Sequence, residues 1–414
     1  MSRAKWATVP IRQLYQGLYD GPHATPKPSD SGPVFLGIKN VTEDGRLDLT
    51  EIRHIAEDDY TEWTRRVEPH SGDLVFTYEA TLNRYALIPG GFRGCLGRRM
   101  ALIRPDPAKV DVRFLLYYFF TEEWRTVIFH NTLSGSTVDR IPLSDFPDFP
   151  VRVPPLQLQR RIASVLSAYD ELIENNQRRI QILEVMVQAL YREWFVAFRF
   201  PGHKSVPVVP SRLGSIPEGW EGCFGDLAAI ERFSVNPFEF PDEEFKHFSI
   251  PAYDDDRTPA IELGERIRSG KYFIDAACVL LSKLNPHIPR VWLPKPTGLQ
   301  RAIASTEFLV LRPRPGIPRE ILYAKCCSKE FAEQFASLAI GTSTSHQRVK
   351  PDNLLAMPTS VPDQVIAGHF SSRVRSLLEL SEILRVQRQN LRLTRDLLLP
   401  RLMSGQIRLD EAAV

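Results

Sequence analysis

Basic side chains gather at two places in this 414-residue chain, and no other grouping in it is spaced for chemistry. In GFRGCLGRRMALIR, Arg93, Arg98, Arg99 and Arg104 lie close together with no acid among them. Farther on, Arg266, Arg268, Lys271, Lys283, Arg290, Lys295 and Arg301 stand against the single Asp275. Such local excess suits neutralisation of a phosphate backbone, while the whole chain carries a formal net charge of only +2. Reading bases needs donors and acceptors on positioned loops, typically Arg or Lys for guanine and Asn or Gln for adenine. The loops TYEATLNRY and SKLNPHIPR occupy comparable places in the two halves. They offer Thr77, Tyr78, Asn83 and Arg84, and Ser282, Lys283, Asn285 and Arg290. Ser136 and Thr137, and Thr344 and His346, precede two long helical patterns; they suit backbone phosphates, and a turn or helix-cap role fits them equally.

Motifs for catalysis do not emerge. GERIRSGK has five residues rather than four between its glycines and no Ser or Thr after the lysine, so it is not a phosphate loop. VNPFEF is one proline short of the Asn-Pro-Pro-Phe adenine-methylation motif and follows no glycine-rich cofactor loop; it reads as a turn. The nuclease-type residues Asp242, Glu244 and Lys246 are packed too closely to place a metal between strands. The nine histidines show no metal-ligand spacing. Five cysteines without a CxxC pair argue against a disulfide framework and suit a reducing cytoplasm. The start lacks the apolar run of a signal peptide, and no segment approaches a membrane span.

The elements that must position the loops are more regular than the loops themselves. A chain of this length exceeds what one hydrophobic core usually serves. After Pro154-Pro155 an apolar seam runs through Ile162, Leu166, Tyr169, Ile173, Asn176, Ile180, Leu183, Val187, Leu190 and Trp194. The steps alternate four and three, which is a heptad repeat with one polar interruption. Over residues 156–198 such a helix would span about 60 Å. In the same frame, 208 residues later, stand Phe370, Val374, Leu377, Ser381, Leu384, Arg388, Leu391, Arg395, Leu398 and Leu402. The approaches correspond too: Gly135 with Gly341, Arg140 with Arg348, Pro150 with Pro358 and Val153 with Val361. Each half opens with a tryptophan and a nearby leucine (Trp6 and Leu14, Trp220 and Leu227), then carries short β-like runs and one helical stretch. Residues 200–220, rich in Pro and Gly, read as a linker. The pattern predicts an α+β tandem duplication, two similar globular domains held apart by an antiparallel two-helix coiled coil acting as a ruler.

At these residues the chain resembles the specificity subunits of type I restriction–modification systems. The resemblance rests on residues 154–202, on LGSIPEGWE, on LSKLNPHIPRVWLP and on RDLLLPRLMSGQI, in that order along the chain. It implies target-recognition domains over residues 1–154 and 201–360, the latter with the linker, and spacer helices over 155–200 and 361–414. It further implies a cytoplasmic, non-catalytic reader of a bipartite site in double-stranded DNA. Two methyltransferase subunits and further motor–nuclease subunits would dock on it. No cofactor is expected in this chain; S-adenosylmethionine and ATP belong to those partners. A self-contained restriction–methylation enzyme and a coiled-coil scaffold without DNA are the competing classes.

The ruler can be tested directly. One heptad inserted after Leu183 and another after Leu391 keeps both seams in frame and adds about 10 Å of helix. Footprinting against a library of spacers is expected to show the same two half-sites with the unread gap wider by about three base pairs. A variant that binds with its original gap contradicts the ruler.

Overall fold

The computed structural model describes residues 6–134, 138–296, 298–340, 347–407 and 409. The chain divides into two compact units, Met1–Asn175 with Gln387–Val414, and Asn176–Val386. Both expected long helices form, Leu156–Tyr191 and Gln364–Met403. No position of either predicted seam is exposed. The first helix continues as a π-helical turn, Arg192–Val196, and stops at Phe198, whose φ of 55° breaks the helical path.

Within the first unit the two helical stretches run antiparallel. Ile162 and Leu166 share a core with Leu398 and Leu402, and Arg395 Nη1 donates to Asp170 Oδ1 at 2.6 Å. Within the second unit Ile180 and Leu183 pack on Leu384 and Leu377, Arg385 donates to Glu184, and Trp194 meets Phe370 edge-on at 5.9 Å. Position rises along one helix as it falls along the other in both units.

The globular parts share one central plan, although the second sheet has three strands in the first part and five in the second. In the first, a four-stranded antiparallel sheet orders Tyr15–Asp20, Met100–Pro105, Leu74–Thr77 and Tyr85–Leu87. In the second the same order is Ala228–Glu231, Phe308–Pro313, Val279–Ser282 and Val291–Trp292. Each adds one parallel pair, Ser29–Leu36 on Gly94–Leu96 and Glu244–Phe248 on Arg301–Ser305. Each ties its opening strand to the strand before its long helix: Ala7–Pro10 on Pro150–Val153, and Glu221–Cys223 on Pro358–Ser360. The buried Leu14 and Leu227, and the exposed Pro150 and Pro358 in their strands, occupy the places that the repeat predicts.

Two local expectations are revised. The single helical stretch of each half is two helices, Val112–Phe119 and Glu122–His130, then Arg319–Cys326 and Lys329–Ser337. The breaks fall where Thr121 and Ser328 cap the second helix, each hydroxyl accepting from a backbone N–H three residues on at 3.3 Å. The Pro/Gly-rich segment is more than a linker. It forms a hairpin, Val208–Ser211 on Gly214–Pro217, and Phe200 stacks on Trp220 at 5.0 Å in the second unit's core.

Candidate nucleic-acid interface

Each unit builds the same small constellation at the end of its central sheet. After the strand Leu74–Thr77 the chain makes a loop closed by Thr77 N–H donating to Arg84 O at 3.1 Å. After Val279–Ser282, Ser282 N–H donates to Arg290 O at 3.0 Å and closes the matching loop. A second segment lies alongside: Ala80 N–H donates to Asp139 O and Ile141 N–H to Tyr78 O, as Asn285 N–H donates to Gln347 O and Val349 N–H to Lys283 O. A third contact comes from the neighbouring turn, Tyr78 N–H to Arg99 O and Lys283 N–H to Glu307 O. Thus 78 matches 283, 80 matches 285, 99 matches 307 and 140 matches 348, the last pair lying opposite Glu79 and Leu284 in isolated bridges.

The loops are strained and incompletely satisfied. Ala80, Asn83, Arg99 and Asn285 all have positive φ, between 48° and 71°, a conformation that costs a non-glycine residue about 1–3 kcal/mol. Among the described residues, Thr77 Oγ1, Tyr78 Oη, Asn285 Oδ1 and Arg290 Nη1 are buried side-chain atoms without a hydrogen-bond partner. An orphan polar atom in a buried place is expensive, and a ligand that pairs it removes that cost. Burial also raises the Tyr78 pKa, so its phenol stays protonated and can donate.

Several residues singled out for DNA contact do other work. Arg84 and Arg290, equivalent at the loop ends, face carboxylates: Arg84 donates to Glu43 Oε1 at 2.8 Å and Val41 O at 3.1 Å, and Arg290 grips Asp254 through two bonds of 2.7 and 2.9 Å. Arg93 pairs with Glu57 and lies 4.4 Å from the Tyr60 ring centre, and Arg104 is bidentate to Asp73. The four arginines of the first cluster are therefore not one unpaired patch, because acids distant in sequence fold onto them. Arg99 joins Glu79 at 3.0 Å, and only Arg98 of that cluster is exposed with no ion pair among the described residues. Lys271 is corrected most sharply. It is buried, its Nζ donates to Ser269 O at 3.0 Å and to Ser269 Oγ, and burial lowers its pKa. Arg301 is held by Glu243 over the Phe240 ring. Ser282, buried, braces its own loop by bonding Leu284 N and O, and Asn83 Oδ1 accepts from Tyr85 Oη at 3.1 Å. Lys283 is half-buried with no ion pair among the described residues. Ser136, Thr137, Thr344 and His346 lie outside the described residues. Glu79, Glu307, Arg140 and Arg348 also stand at the loops; the sequence marks the last two through their 208-residue offset and gives no sign of the two acids.

Among the described residues no His, Cys, Asp or Glu group is placed to hold a metal, and no helix is long and apolar enough to cross a membrane. The five cysteines are unpaired.

Residues 35–185 match the family model described as the type I restriction modification DNA specificity domain. The type I restriction enzyme MjaIX specificity subunit of Methanocaldococcus jannaschii is 26% identical over 373 residues, 87% of this chain and 83% of that protein. The MjaVIII specificity subunit of the same organism is 22% identical over 341 residues, 77% of this chain and 75% of that one. The fold is that of the type I restriction–modification S subunit from M. genitalium, with a TM-score of 0.60 at 16% identity over 97% of both chains. Over most of its length the chain is thus similar to the specificity subunits of type I restriction–modification systems, and it shares the fold of one of them.

Proposed function

We propose that this chain is the sequence-specific DNA-binding subunit of its complex, reading a bipartite site with one half-site per unit. The observation that carries the reading is the doubled constellation, two loops of matched backbone bonding, each with strained residues and unpaired buried polar atoms. Base edges presented in the major groove supply the donors and acceptors that such atoms lack. The sequences around the matched bonds differ: Thr77-Tyr78 corresponds to Ser282-Lys283, and Arg99 to Glu307. The two units would therefore read different bases from one backbone plan.

Docking of two methylating subunits, and of motor–nuclease subunits, is part of the same proposal. The helices leave apolar side chains uncovered, Ile182, Val185 and Met186 on the first and Leu393 and Leu397 on the second. Catalysis would then reside in those partners.

Exchanging residues 1–154 for those of a related specificity subunit is expected to change one half of the methylated motif and leave the other intact. A chimera in which both halves change contradicts independent reading. Arg98→Ala is expected to weaken DNA binding and to reduce the log–log salt slope by about 0.9, the loss of one phosphate contact. Arg99→Ala, which removes the partner of Glu79, is expected to leave that slope unchanged. Equal slopes for Arg98→Ala and the parent chain would remove Arg98 from the interface.

A further inference from the structure

The two constellations match in backbone and differ in where the carboxylate stands, and that difference decides which arginine is available. In the first unit the acid is Glu79, and it takes Arg99 at 3.0 Å. In the second the acid is Glu307, at the position equivalent to Arg99, and it takes Arg348 through bonds of 3.0 Å from both Nε and Nη2. Leu284, opposite Arg348, carries no charge. Arg140 is the counterpart of Arg348 and lies opposite Glu79, yet it is exposed and has no ion pair among the described residues. One arginine of an equivalent pair is locked and the other is free.

We propose that Arg140 is a specificity-determining residue of the first unit, reading a guanine in its half-site. The inference rests on the DNA-reading function proposed above. Arg140 ends the two-stranded ribbon Leu133–Ser134 with Asp139–Arg140, and a ribbon of that width enters a major groove. The residues on either side of it bond the loop: Asp139 O accepts from the N–H of the strained Ala80, and Ile141 N–H donates to the carbonyl of Tyr78, whose hydroxyl has no partner among the described residues. A guanidinium has five donors and no acceptor, and guanine presents two acceptors, O6 and N7, on its major-groove edge. Glu79 is paired with Arg99, and among the described residues no ion pair joins it to Arg140. The carboxylate thus acts as a selector, retiring Arg99 in one unit while Glu307 retires Arg348 in the other.

The test uses the full chain with its own partner subunits in a host where it is the sole specificity subunit. The motif is read from the methylated bases and from selection of random DNA by the purified complex. Arg140→Ala is expected to relax one guanine position in one half-site, with discrimination there falling roughly ten- to a hundredfold. The other half-site stays as it was. Arg140→Lys is expected to recover affinity without recovering that discrimination, since an ammonium cannot bind two acceptors in the guanidinium's fork geometry. Arg348→Ala is expected to leave every base preference unchanged. A uniform loss of affinity with a salt slope shallower by about 0.9 and an intact motif would make Arg140 a phosphate contact and overturn the proposal. So would relaxation in both half-sites, or no change at all. A parent complex that selects no sequence would instead overturn the DNA-reading function, and the present inference with it.

Discussion

Apolar seams on two long helices must be kept from water, and each unit does so by folding its sheets and short helices around them. In the first unit Ile162, Ala163 and Leu166 enter the same core as Phe114, Tyr118, Trp124 and Leu402. In the second, Val187, Tyr191 and Trp194 join Phe224, Ile321, Phe370 and Val374. Full burial of one such side chain is worth about 1.5–3 kcal/mol, so a few of them outweigh any surface ion pair. The ion pairs contribute register instead. Asp170 with Arg395 and Glu184 with Arg385 bring together residues that only an antiparallel alignment makes neighbours. Each globular part and its stretch of helix are consequently one folding body, and a sheet fastened to that body can hold a loop still.

A rigid support is what makes the strained loops tolerable. Positive φ at Ala80, Arg99 and Asn285 costs stability, as do the unpaired Tyr78 hydroxyl and Asn285 carbonyl. The matched backbone bonds from residues 139–141 and 347–349 hold the loops in shape without fixing their side chains. Sequence at the loop can then change while the frame does not. The Arg99–Glu79 and Glu307–Arg348 pairs illustrate it: the same three positions carry Glu, Arg and Arg in one unit and Leu, Glu and Arg in the other, on one backbone plan.

What could be read from the sequence was whatever depends on periodicity. Heptad spacing marked both helices and their inward faces, and a fixed offset marked the duplication, down to Arg140 and Arg348 in equivalent bridges. Ion pairing could not be read, because it joins residues remote in the chain: Glu43 with Arg84, Glu57 with Arg93, Asp254 with Arg290. A run of arginines therefore looked like a free patch when most were already neutralised. Lys271 misled for a related reason, since burial of its stem and its ammonium is decided by the sheet it sits in. The helix breaks at Thr121 and Ser328 left a signal that the apolar run concealed, a hydroxyl residue followed within two positions by Glu.

The central claim is that two matched loop clusters in one chain read two separate blocks of DNA. Sequencing of modified bases in the host genome, with and without this gene, tests it most directly. Loss of the gene is predicted to erase adenine methylation from one motif made of two fixed blocks separated by an unread gap of constant length. Methylation that is unchanged, or that disappears from a single uninterrupted block, would contradict the account.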